Sequence, residues 1–189
     1  DSMFIWPSRW DIPFFDESLS CSSYDNCHVP WGTTHEESWK LVKNNDFISG
    51  MYLWTGFDYL GEPTPYWWPA RSSYFGVIDL AGFPKDVYYM YQSEWTDKTV
   101  LHVFPHWNWQ KGETVDLWAY YSNADEVELF VNGKSCGIRK KEKDVYHVSW
   151  RVTFEPGTVR VVSRKNGKEV LSRELHTAGE PARIKLSAD

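Results

Sequence analysis

A chain of 189 residues has room for one large domain, or for a small domain plus a fragment of another, and length does not choose between them. The formal net charge is −6 and the basic residues are scattered apart from Arg139, Lys140, Lys141 and Lys143, which excludes a phosphate-tracking surface and makes nucleic acid a poor partner. No apolar run approaches the roughly 20 residues a membrane helix needs, so membrane insertion is not expected.

Residues 1–33 hold Pro7, Pro13, Pro30, Gly32 and many Ser, Asp and Asn, with no sustained period of either kind. A loop of that length is expected to be functional or to belong to something larger. Thr34 followed by Glu37 has the form of a capping box, and Trp39, Leu41 and Val42 give a partial apolar face, which predicts a short helix over about 34–44.

Residues 47–54, FISGMYLW, are almost continuously apolar between polar turn residues, the form of a strand buried on both faces in a parallel sheet or barrel. A Gly- and Pro-rich irregular stretch follows. A second helix is then predicted over 86–95, where Val87, Met90, Tyr91 and Glu94 stand at helical spacing.

From about Lys98 the pattern changes to alternation: VLHVF, TVDLWAYY, EVELFVNGKSCGI, VYHVSWRVTF and GTVRVVSRKNGKEVLSREL read as short antiparallel strands. The pairs Asn132, Gly133 and Asn166, Gly167 mark hairpin turns, because both central positions need positive φ. Residues 178–189 read as a linker and the start of a further domain. Two unlike halves therefore meet near residue 97, and the chain is expected to be a piece of a larger architecture.

Twelve Trp, 11 Tyr and 10 Phe make 17% of the residues, and the tryptophans are dense between Trp31 and Trp109. An indole offers a flat apolar face and an N–H donor, which suits a pyranose ring, although core packing accounts for most of them. Cys21, Cys27 and Cys136 match no zinc spacing, and a Cys21 to Cys27 bridge is a question for geometry. No histidine pair has one-face metal spacing, so structural or surface roles are expected for them, with no metal and no cofactor.

The strings LWTGFDYLGEPTP, FGVIDLAGFPKD, YQSEW and EVELFVNGKS, in that order, make this chain similar to glycoside hydrolase family 2, the β-galactosidase family. The resemblance covers most of the chain. It implies an α/β fragment, the last part of a TIM barrel over 1–97 with its eighth strand near 47–55, followed by an all-β immunoglobulin-like sandwich over 98–177.

It also implies a retaining β-glycosidase of two-step mechanism as the parent protein, a carbohydrate substrate, the remainder of the parent chain as partner, and a periplasmic or extracellular location. Trp54 matches the position that lines the galactosyl subsite, at the end of a barrel strand where such sites collect. Asp58 is a candidate partner for sugar hydroxyls. Trp67 and Trp68 stack on a neighbouring subsite or pack under their loop.

Asp58 and Glu62 invite reading as an acid and base pair, but the resemblance puts both catalytic carboxylates upstream of this segment, so no catalytic residue is expected here. Glu62 is read as loop-fixing. Two rivals remain. A carbohydrate-binding module would place its aromatic platform on the sandwich, with Trp107, Trp109 and Trp118 as candidates. A purely structural immunoglobulin-like protein leaves the apolar run at 47–54 without a place.

Overall fold

The structure is a computed structural model that describes residues 22–183. Cys21 lies outside the described residues, and with it any pairing to Cys27.

Helix α1 (His35–Lys43) starts where the capping box predicts: Thr34 Oγ1 accepts from the Glu37 amide, and the Glu37 carboxylate accepts from the Thr34 amide. A second cap comes from further away. The Asp25 carboxylate accepts from the amides of His35 at 2.9 Å and Glu36 at 2.7 Å, satisfying two more of the helix's orphan donors. Helix α2 is Asp86–Trp95. No described helix is long and apolar enough to cross a membrane.

Seven antiparallel strands follow: β1 (Leu101–Phe104), β2 (Thr114–Tyr121), β3 (Glu126–Val131), β4 (Lys134–Arg139), β5 (His147–Thr153), β6 (Thr158–Lys165) and β7 (Lys168–His176). They form a sheet β1-β2-β5 and a sheet β4-β3-β6-β7. The two Asn and Gly pairs sit at the β3–β4 and β6–β7 turns, with φ of 49° and 80°, then 52° and 74°. Val115, Leu117 and Ala119 of β2, Val127 and Leu129 of β3, Val159 and Val161 of β6, Trp107, Trp150 and Phe154 fill the space between the sheets.

The other face of the first sheet is also covered. Trp118 and Tyr120 of β2 and Phe104 of β1 pack against Met90 and Tyr91 of α2 and against Tyr24. Directional bonds fix this contact. His147 Nδ1 donates to Glu36 at 2.6 Å while its ring lies on Trp118 at 3.6 Å, nearly parallel. His102 Nε2 donates to Asp86 at 2.7 Å and stacks on Tyr89 at 3.8 Å. Tyr24 Oη donates to the Asp116 carbonyl at 2.6 Å. Three of the histidines thus join the helices to their surroundings, His35 through Tyr91 Oη at 2.9 Å.

The strand expected over 47–54 does not form. These residues belong to no ladder, and Phe47 and Tyr52 are exposed, the latter completely. A doubly buried strand needs a neighbour on each edge and a layer on each face, and the described residues supply neither. Residues 22–97 accordingly contribute helices and isolated bridges rather than a barrel wall.

Leu129 is fully buried between the sheets. Leu129→Ala is expected to cost about 2–5 kcal/mol in urea unfolding. Glu94 supplies a pH test. Burial pushes its carboxyl up, but hydrogen bonds from Lys43 at 2.6 Å and Trp39 at 3.0 Å, with the charge of Lys141, outweigh that and hold it below the ordinary range. A depressed folded-state pKa contributes stability above the unfolded value, about 4.3, and loses it as pH falls through the folded value. Glu94→Gln should therefore be less stable than the parent at pH 7, and the gap should close on acidification below pH ~4; a gap constant with pH would refute the assignment.

Candidate functional site

Trp54 stands beside one built feature of the first half. Residues 55–58 lie beside residues 75–78 in parallel: the Thr55 amide donates to Phe75 O at 3.0 Å, Val77 to Thr55 O at 3.2 Å, Ile78 to Gly56 O at 3.1 Å and Asp58 to Ile78 O at 2.9 Å. Gly76 permits the approach, because a Cβ there would overlap the Asp58 nitrogen and the Phe57 carbonyl carbon.

The Asp58 carboxylate locks the pairing. Its side chain is 1% exposed, accepts from the Gly76 amide at 2.8 Å and meets the Lys85 ammonium at 2.7 Å. Lys85 also donates to Tyr74 O at 3.2 Å. A carboxylate this buried is stable only with its counter-charge in place. Asp58, expected as a partner for sugar hydroxyls, holds the Gly76 amide and the Lys85 ammonium in this structure.

Trp54 stands just before this pairing and is 73% exposed. The indole N–H donates to Tyr59 Oη at 3.2 Å, and the two rings meet edge to face at 6.2 Å. One face of the indole is thus left for another ring, while its polar edge is already satisfied.

Trp54 also borders a cavity of about 200 Å³, with Tyr24, Asp25, His28, Tyr74 and Lys85 among its other lining residues. His28 Nδ1 lies 2.8 Å from the Val29 carbonyl. A carbonyl only accepts, so that nitrogen carries the hydrogen and Nε2 is the acceptor of the neutral ring. On the same wall, burial pushes the Asp25 carboxyl up and the His35 imidazole down, since neither charge is easily kept there.

Trp67 and Trp68 are set apart on a loop whose base is closed by Ser73 N to Tyr59 O at 3.0 Å and Gly61 N to Arg71 O at 3.1 Å. Both are about four-fifths exposed, and the Arg71 guanidinium lies 5.1 Å from the Trp68 ring. Tyr66 fills the underside of the loop against Tyr74. Glu62 is exposed on this loop and forms no ion pair among the described residues.

On the sandwich, Trp107 and Trp118 are buried, at 1% and 2%, and Trp109 is half-buried with its N–H given to His106 O. The aromatic platform that a binding module needs is absent from these positions. Sequence reasoning overlooked Lys85; the lysine stands in FGVIDLAGFPKD, but nothing local announces a partner 27 residues away.

Residues 112–171 match a family described as a domain of unknown function (DUF4982). The whole chain is 69% identical to a β-galactosidase of Bacteroides ovatus, of which it covers 22%. Among solved structures it is similar to a β-glycosidase from Bacteroides vulgatus, with a TM-score of 0.80 and 36% identity over 90% of this chain and 21% of that one. It is similar as well to a glycosyl hydrolase family 2 member from Bacteroides cellulosilyticus, with a TM-score of 0.70 and 29% identity over 82% of this chain and 25% of that one. The chain spans about a fifth to a quarter of the length of these proteins.

Gly76→Ala should break the parallel pairing that presents Trp54. Hydrogen exchange at the amides of Thr55, Asp58, Val77 and Ile78 is expected to accelerate by about tenfold or more, with the β2 and β6 amides unchanged. Equal rates in variant and parent would show that the close approach is not maintained in solution.

Proposed function

We propose that the chain is a C-terminal segment of a glycoside hydrolase family 2 enzyme and that it supplies one sugar-facing edge of a retaining β-galactosidase. In this reading residues 1–97 are the C-terminal part of a (β/α)8 catalytic barrel, residues 98–177 an immunoglobulin-like sandwich, and residues 178–189 a linker into a further domain. Trp54 presents its free indole face to the galactosyl ring, and Trp67 and Trp68 offer a second apolar surface to the rest of the saccharide. Asp58 acts from behind by holding the backbone segment that follows Trp54.

The observation that carries the reading is the distribution of exposed aromatic surface. Of the large apolar residues that are more than half exposed among the described residues, Phe47, Tyr52, Trp54, Phe57, Leu60, Trp67, Trp68, Leu80 and Phe83 fall within residues 47–83, and Trp31 and Leu41 fall outside. So many exposed large apolar side chains within one short segment mark an interface. The remaining barrel strands would cover Phe47, Tyr52 and their neighbours, and the ligand would meet the tryptophans. The two reacting carboxylates belong to the remainder of the parent chain, which also sets linkage preference, and the complete enzyme acts in the periplasm or outside the cell.

Chemistry in this scheme divides between the two parts. The upstream carboxylates form and hydrolyse the glycosyl-enzyme bond; the edge described above binds and orients the sugar. Expression of the 189-residue chain should yield no nitrophenol from an aryl β-galactoside above background, whereas the longer protein should release it with the β-anomer of galactose as first product. Trp54→Ala in the longer protein should lower kcat/KM by roughly 10- to 100-fold. Turnover by the short chain alone, or an α-anomer formed first, would overturn the proposal.

A further inference from the structure

The sandwich meets Trp54 through a continuous series of contacts. His102 of β1 holds Asp86, the first residue of α2, at 2.7 Å, and Tyr89 of α2 stacks on the same imidazole. Met90 and Tyr91, on the buried side of α2, pack in one cluster with Phe104, Trp118 and Tyr120. The start of α2 is therefore fixed to the sandwich by burial and by a directional bond.

Lys85 is the residue immediately before that start. Its amide donates to Val77 O at 2.9 Å, tying it to the 75–78 segment, and its ammonium reaches across to Asp58 and Tyr74 O. The side chain is 12% exposed, so its long stem is held along its length and its charge has little water to exchange for the carboxylate. A lysine anchored at both ends in this way is a strut rather than a tether.

We infer that the sandwich functions as a brace for the substrate edge: it fixes α2, and through Lys85 and Asp58 it fixes the backbone that orients Trp54. Lys85 is then a positioning residue. This gives a role to the part of the chain that matches a family of unknown function, since Trp118 and Tyr120 lie within residues 112–171. The inference rests on the reading of Trp54 as a sugar-facing residue.

The test is a mutant cycle in the longer enzyme, assayed on an aryl β-galactoside. Lys85→Met should raise KM by roughly tenfold with a smaller change in kcat, because the indole is misplaced while the upstream carboxylates are untouched. Lys85→Arg, which keeps the charge, should recover part of the loss. In a Trp54→Ala background Lys85→Met should change KM by less than about twofold, since the group it positions is gone. His102→Leu should move KM in the same direction by a smaller factor. If Lys85→Met does not fold, the Asp58→Asn, Lys85→Met pair, which removes both buried charges, takes its place in the cycle.

Two failures are distinguishable. If Trp54→Ala leaves KM unchanged, the inference falls together with the reading beneath it. If Trp54→Ala raises KM but the two substitutions multiply, or if Lys85→Met lowers only kcat, the sugar-facing role stands and the brace is overturned.

Discussion

The burial of β2 on both sides is the constraint from which the rest of the structure follows. Residues 115–121 are all buried, so this strand needs a layer above it and a layer below it. Alternation divides the work: Val115, Leu117, Ala119 and Tyr121 point into the sandwich, while Trp118 and Tyr120 point the other way. Leaving two such rings in water would forgo about 1.5–3 kcal/mol each. The helices and the Tyr24 segment are thus an integral part of the fold and not an appendage.

Apolar contact by itself does not fix a register, because burial is nondirectional. The polar bonds do. Glu36 with His147, Asp86 with His102 and the Tyr24 hydroxyl with Asp116 O each tie one element of the first half to one strand of the second. Glu94 adds a fourth tie, joining α1, α2 and the segment after β4 through Lys43, Trp39 and Lys141. Together they turn a patch of aromatic rings into a joint with one geometry.

Most of the large exposed apolar side chains among the described residues fall within 47–83, whereas Trp107 and Trp118 of the sandwich are covered. Val77, Leu53 and Ile78 of the same segment pack into the cluster that faces the sandwich. The irregular segment still has internal order where it matters for presenting Trp54, and there the order comes from one buried ion pair and one glycine rather than from a sheet.

The sequence by itself determined whatever depends on neighbours along the chain. The capping box of Thr34 and Glu37, the two Asn and Gly turns and the alternation of β2, β3 and β6 were legible because capping, turn conformation and side-chain alternation act over two to four residues. The long strings also pointed to the family of the similar proteins. Tertiary structure decided the rest: that 47–54 forms no strand here, that Trp107 and Trp118 are core rather than platform, and that Asp58 answers to Lys85. An apolar run, an indole or a carboxylate has the same composition whether it meets water, a ring or an ammonium. Which of these it meets is set by residues 27 to more than 100 positions away, a distance over which no local pattern carries information.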